Sequence, residues 1–208
     1  MSKLSNSQVV ADQVNLVDEQ GLVCGHMDKI EAHRGEGKKH QAISLFFFRV
    51  LPNKKIELLL QKRSSVKIVA ANQWANSLCA NLLPKETHRA CLKRRLKEEL
   101  GIEEKKWAQS AQKLFDFSYQ VACENDFSEN ELDRFFLSIC DAGQEPTLAP
   151  QSAEVSAVAW KTWSLENPTK LEQKDNFSPW FSLFLNNKAI TKRIDQQLKN
   201  FLAKKETI

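Results

Sequence analysis

The residues of this chain best suited to chemistry fall into a few small groups. Glu98 and Glu99 are adjacent carboxylates near the end of a charged stretch, RRLKEELG, that has the period of a helix. Carboxylates placed in this way can hold a hard divalent cation, which prefers oxygen ligands and often bridges to phosphate oxygens. His33 and His40 stand seven residues apart around the glycine-containing loop RGEGKK, so they can fold back on one ion. Glu129 and Glu131 alternate in an extended segment, and a strand there aims both at one side. Two imidazoles and two carboxylates together suit a divalent transition metal or a magnesium-like ion. Cys79 is a single thiol at the end of an apolar run, and Arg63 with Lys67 makes a basic pair that can grip a diphosphate by a fork and a point charge.

Each group also has a plain reading. Charge pairs on a helix are commonly solvated and add only a few tenths of a kcal/mol. Loop histidines and acidic loops are commonly surface features, and a single buried thiol is commonly a small hydrophobe. Only convergence makes a site of them, so the elements that position them decide the matter.

The organising stretch is 74–102, WANSLCANLLPKETHRACLKRRLKEELGI. Residues 74–79 read as a short aromatic and apolar strand. The helix that follows has Ala90, Leu92, Leu96 and Leu100 as its stripe, Thr87 as N-cap and Gly101 just past its end. Arg94 with Glu98 and Arg95 with Glu99 pair at i,i+4 on the opposite, solvated face. Upstream, 15–18 and 22–28 form a hairpin across Glu19-Gln20-Gly21, 29–39 is a loop, and His40 stands at the threshold of a strand over 42–50. LPNKK turns that strand into another over 56–62, and SSVKIVAANQ is a loop before Trp74. Downstream, strands fall at 113–123, 132–140 and 155–160, the first two joined by the acidic loop ENDFSENE. Helices fall at 163–165 and 179–186, then in a basic amphipathic tail over 190–203. The pattern is an α+β fold, a mixed β-sheet with helices on its faces in an α/β/α sandwich. It divides into a flexible segment 1–12, a main domain 13–187 and a basic C-terminal helix 188–208 that packs on or extends it.

Composition bounds the function. With 208 residues, 42% hydrophobic and 27% charged, the chain is an ordinary globular protein with enough apolar surface for a sizeable core. A net charge of +4 is too small for a nucleic-acid footprint, while anionic small molecules remain suitable partners. Five widely spaced cysteines without a CxxC pair fit a reducing cytoplasm rather than a disulfide framework or zinc knuckle. The first residues lack the apolar core of a signal peptide, and no run reaches the ~20 residues of a membrane span, so neither secretion nor a membrane partner is expected.

The motifs also carry a family resemblance. Glu86, Arg94, Glu98, Glu99 and Gly101 match the spacing of the Nudix box. With it, EAHR, NSLC, RRLKEELG, DFSY, ENEL and FSPW run in an order that resembles the type I isopentenyl-diphosphate Δ-isomerases over about 14–184, most of the chain. The resemblance implies a Nudix-like sandwich and the interconversion of isopentenyl and dimethylallyl diphosphate by moving a proton. It implies Cys79 and Glu131 as the acid and base groups, with Tyr119 assisting. It implies His33, His40, Glu129 and Glu131 as ligands of a divalent ion, Mn2+ or Zn2+, and Glu99 as holder of a Mg2+ that bridges to the diphosphate. Lys29, Arg63, Lys67 and Arg94 would surround that diphosphate, and Trp180, with Trp74, would line the hydrocarbon pocket. Two departures stand out. Ala80 and Asn81 replace the family's Gly-His, which leaves Asn81 as a weak, neutral oxygen ligand. AANQ replaces a proline-glycine turn before Trp74. Two other classes stay open: a Nudix-type pyrophosphohydrolase using the same helix carboxylates, and a catalytically weakened diphosphate-binding homologue. Against hydrolysis, the usual box has Glu where this chain has Arg95 and Gly where it has Ala80.

Overall fold

The strand around which the fold is built is β3, His40–Val50, because both of its faces are apolar. Ile43, Leu45 and Phe47 point one way and Phe46, Phe48 and Val50 the other, each at most 5% exposed. A strand buried on both faces needs helices on both sides of its sheet. The computed structural model, which describes residues 13–165, 167, 171 and 176–206, supplies them. The segment 1–12, read above as flexible, lies outside the described residues.

Ahead of β3 come β1 (Gln13–Val17), β2 (Val23–Asp28) and α1 (Lys29–His33). After it come β4 (Ile56–Arg63), β5 (Trp74–Ala75), β6 (Leu78–Asn81), α2 (His88–Leu100), α3 (Lys105–Ser110), β7 (Gln112–Ala122) and β8 (Ser128–Asp141). β9 (Val155–Trp163), α4 (Pro179–Asn186) and α5 (Lys188–Glu206) follow. One edge of β3 pairs in parallel with β8 along its whole length, from His40 opposite Glu131 to Val50 opposite Asp141. The other edge is shared by three antiparallel partners: β1 at Leu16, β6 from Asn81 to Leu78, and β4 from Leu58 to Ile56. β7 flanks β8, while β9 and β5 pair with β4.

On one face Leu92, Leu96 and Leu100 of α2 and Trp107 of α3 pack with Ile43, Leu45, Phe47 and Leu59. On the other, Phe181 and Phe184 of α4 and Ile190, Ile194 and Leu198 of α5 pack with Phe46, Phe48, Leu58 and Phe135. Full burial of each such side chain stabilises the fold by ~1.5–3 kcal/mol, so both layers are strongly held. The basic C-terminal helix therefore docks on the core, and Trp163 Nε1 donates to its Asp195 Oδ1 at 2.7 Å.

Local chemistry sets the ends of α2. Thr87 accepts from Ala90 N at 3.2 Å, and Gly101, at φ +69°, lets its own N–H reach Lys97 O while Ile102 N reaches Leu96 O. The stripe differs at one place: Ala90 is exposed and Cys91 takes the buried position.

Four other expectations change. Residues 29–33 form a helical turn rather than loop, because Asp28 Oδ1 caps it, accepting from Ile30 N at 2.9 Å and Glu31 N at 3.1 Å. The strand expected over 74–79 is two short strands. Asn76 Nδ2 donates to Leu45 O and Leu78 O, and Ser77 Oγ to Leu59 O, so these side chains take backbone partners and break the run. The second half of ENDFSENE is strand, since Ser128 already pairs with Ala122 and the turn is confined to Asn125 and Asp126, both at positive φ. There is no helix at 163–165: Trp163 ends β9 opposite Ile56 and packs edge-on against Phe48.

Candidate active site

Strand register assembles the site. Across β3 and β8, His40 faces Glu131; across β8 and β7, Glu131 faces Tyr119; across β3 and β6, Ala42 faces Asn81 and Ser44 faces Cys79. The turn α1 then swings His33 over His40, their ring centroids 4.6 Å apart.

His33, His40, Glu129 and Glu131 each offer one ligand atom, and these atoms lie within 4.8 Å of one another. The donor set fits a divalent ion. His33 Nδ1 bonds Lys29 O at 2.6 Å and His40 Nδ1 bonds Lys38 O at 2.7 Å, which fixes both tautomers and leaves both Nε2 atoms facing the carboxylates. His33 Nε2 lies 3.1 Å from Glu129 Oε2. Burial works against ionising both, yet the bond and charge between them prevail, raising the His33 pKa and taking Glu129 down to about 2. Asn81 sits in the same cluster, its Nδ2 donating to Glu131 Oε1 at 2.8 Å and to His40 Nε2 at 3.0 Å.

Glu131 is also held from the opposite strand, by Tyr119 Oη at 2.6 Å from Oε2. Beside it stands Cys79, whose Sγ joins a tight group with carboxylate oxygens of Glu131 and Asp133. Burial, then the charges of Glu131, Asp133 and Glu129, push the Cys79 thiol well above its ordinary range. Ser44 Oγ bridges this group, 2.7 Å from Asp133 Oδ2 and 3.7 Å from Cys79 Sγ. Cys79 and Glu131 open on one cavity of about 520 Å³, which Trp180 and Val69 also line.

The mouth of that cavity is cationic. Lys29, Arg63, Lys67, Arg94 and Arg95 line it. The Lys29 pKa is lowered, first by the weakly polar surroundings of its ammonium and then by the like charges of Lys67, Arg95 and Arg63. Because Lys29 keeps an exposed position at the mouth, the like charges are the firmer of those causes. Arg63 donates from Nε and Nη2 to Val69 O at 3.0 Å and lies 5.1 Å over the Trp180 ring. Arg94 is tied to Glu86 and Glu98.

Two expected participants stand outside the cavity lining, and a third, Lys67, lines it but is already paired. Trp74 lies outside the cavity lining and packs against the core, its backbone paired with Phe177 just ahead of α4. Glu99 is 3% exposed, and its oxygens are engaged: Arg95 Nε and Nη2 reach Oε1 at 2.8 and 2.6 Å, and Gln61 Nε2 reaches Oε2 at 2.9 Å. The pair read as solvated is a buried clamp, and Glu99 as found does not face the cavity as a Mg2+ ligand. Lys67, meanwhile, holds Glu154 Oε2 at 2.7 Å.

Sequence reasoning missed Arg95 and Glu154 at the mouth, and Ser44 and Asp133 behind Cys79. Arg95 had a signal, the RR doublet one residue out of phase. Asp133 extends the alternation of Glu129 and Glu131, which marks one face of a strand. Glu154 and Ser44 had none, because their partners lie far away in the chain.

This geometry accords with known proteins. The sequence profile of the NUDIX domain matches residues 38–181. A Deinococcus radiodurans structure is similar in fold, with a TM-score of 0.59 at 20% identity, over 80% of this chain and 92% of that one. Fold and profile define a NUDIX protein. In sequence the chain is similar to "Isopentenyl-diphosphate Delta-isomerase 1" of Aromatoleum aromaticum, 38% identical over 69% of this chain and 74% of that protein. It is similar also to the "Isopentenyl-diphosphate Delta-isomerase" of Aliivibrio fischeri, 37% identical over 83% of this chain and 92% of that one. The chain belongs to the isopentenyl-diphosphate Delta-isomerase family of NUDIX proteins.

Proposed function

We propose that this protein interconverts isopentenyl and dimethylallyl diphosphate, with Cys79 and Glu131 as its catalytic residues. The observation that carries the reading is that a protonated thiol and a hydrogen-bonded carboxylate share one cavity whose wall holds an indole and whose mouth holds cations.

The reaction demands such a set. An isolated alkene is a very weak base, so adding a proton to its terminal carbon needs a positioned acid in a water-poor pocket. The raised Cys79 thiol keeps its proton for that step. The tertiary cation that forms must be shielded from water, and a desolvated indole face such as Trp180 stabilises a cation by roughly 2 kcal/mol. Loss of a proton from the carbon on the other side of the cation then restores an alkene one position along the chain. Glu131 is placed to accept that proton, its two oxygens oriented by Asn81 and Tyr119. Lys29, Arg63, Lys67, Arg94 and Arg95 hold the diphosphate and so set the hydrocarbon end against Cys79 and Glu131.

A divalent ion held by His33, His40, Glu129 and Glu131, Mn2+ or Zn2+, would place positive charge beside the Glu131 carboxylate. Asn81 adds at most one amide oxygen to that set. Mg2+, a hard cation that prefers oxygen ligands, would come with the diphosphate and screen its charge. Glu99, covered by Arg95, is not among its holders in this arrangement, which also speaks against hydrolysis built on the helix carboxylates. The substrate is a small prenyl diphosphate. Five cysteines free of disulfides favour a cytoplasmic protein, and no helix among the described residues is long and apolar enough to cross a membrane.

The test is phosphorus and proton NMR of isopentenyl diphosphate incubated with the protein, Mg2+ and Mn2+. Dimethylallyl diphosphate supports the reading. Released phosphate sinks it, and so does unchanged substrate.

A further inference from the structure

One carboxylate sits inside the cationic mouth. Glu154 Oε2 lies 2.7 Å from Lys67 Nζ and 2.9 Å from Arg95 Nη2, and all three line the cavity with Lys29 and Arg63. Burial opposes its ionisation, but the charge of Arg95 and the bond from Lys67 outweigh that and take its pKa down to about 2. An anion already occupies part of the seat.

The two ends of this residue are fastened differently. Its backbone is fixed, Ser64 N donating to Glu154 O at 3.0 Å and Glu154 N to Gln151 O at 2.8 Å. Its side chain keeps 29% of its surface exposed, a route by which the carboxylate can swing into solvent without moving the loop. Of the cations it would release, the Arg95 guanidinium stays held and the Lys67 backbone stays anchored. Arg95 remains bonded to Glu98 and Glu99, and Lys67 N remains bonded to Ser64 O.

We infer that Glu154 is an internal occupant of the anion seat, displaced from Lys67 and Arg95 when a diphosphate enters, and so a residue that sets which anions the site accepts. A single phosphate exchanges one anion for another at Lys67 and Arg95 and gains little. A diphosphate has a second phosphoryl group to reach Lys29 and Arg63, and that surplus drives the exchange. Abundant orthophosphate is thereby kept out. The inference rests on the proposed prenyl-diphosphate reading for the natural ligand, while the displaced contact is in the structure itself.

The experiment is calorimetric titration of wild-type protein and Glu154→Gln with inorganic pyrophosphate and with orthophosphate, each with and without Mg2+. The amide cannot mimic the anion, so Glu154→Gln binds metal-free pyrophosphate about tenfold more tightly, the scale of one charge-assisted contact. It also gains measurable orthophosphate binding. Unchanged affinity together with a lower unfolding temperature overturns the inference and makes Glu154 a structural strap. Weaker binding that appears only with Mg2+ overturns it too, by making Glu154 a metal ligand. Because pyrophosphate binding needs no isomerisation, tighter binding without turnover would sink the isomerase reading and leave this inference standing.

Discussion

Asn81 Nδ2 lies 2.8 Å from Glu131 Oε1, so a neutral amide donor is built into the histidine and carboxylate cluster. Rotated by half a turn, the same amide presents its oxygen instead, a poorer ligand than imidazole for a transition metal. Asn81→His should therefore raise affinity for Mn2+ or Zn2+ about 10- to 100-fold, the scale on which groups around a metal act. Calorimetric titration of chelator-treated protein reads this directly, and equal affinities in the two proteins would remove Asn81 from the metal's surroundings.

Cys79 gives a prediction in pH. Burial and neighbouring carboxylates raise its pKa above the ordinary 9.0, and a raised pKa keeps the proton on sulfur as pH climbs. In chelator-treated protein the thiolate absorbance lost on Cys79→Ala should thus appear only above pH 9. Cys79→Ala should lower turnover by at least about a hundredfold while leaving thermal unfolding nearly unchanged, because the Cys79 side chain lines an open cavity. A large drop in stability would show that the sulfur is mainly packing.

Gly101 closes α2 at φ +69°, and a Cβ there would stand 2.5 Å from Ala149 O. Gly101→Ala should cost about 1–3 kcal/mol in denaturant unfolding. The contact also ties the end of α2 to the loop carrying Glu154, since Ala149 N bonds Leu100 O and Gln151 N bonds Glu99 O. Anion affinity should change along with stability. A stability change under about 0.5 kcal/mol, the ordinary scatter of surface substitutions, would show that this loop yields freely.

His88, at the start of α2, has its pKa lowered to about 4, first by burial and then by the charge of Arg134, whose Nη1 lies 3.1 Å from Nδ1. The unfolded chain binds this proton near 6.5, so between pH 6.5 and about 4 it holds more protons than the folded chain. Stability from this residue is full above that window and falls as pH drops through it. His88→Gln should lose less stability across the window than wild type, and identical pH profiles would contradict the assignment.

The parts legible in the sequence were those governed by neighbours in the chain. Thr87 and Gly101 bound α2 through contacts within four residues, and the alternation of Glu129 and Glu131 needs only a strand. The splitting of 74–79 was hidden, because Asn76 and Ser77 choose partners on β3 and β4. The cationic mouth was half legible for the same reason. Arg63 and Lys67 announce themselves, whereas Glu154 meets Lys67 only through a contact 87 residues away in sequence. Glu99 looked exposed because helix periodicity reports a face without saying what covers it, and Gln61 and Arg95 cover this one.

In the proposed reaction a proton passes from Cys79 to the terminal carbon of the alkene. Wild-type protein incubated with isopentenyl diphosphate and Mg2+ in deuterium oxide should give dimethylallyl diphosphate carrying deuterium in the newly formed methyl group, while Cys79→Ala under the same conditions should give none. Equal deuterated product from both proteins would contradict it.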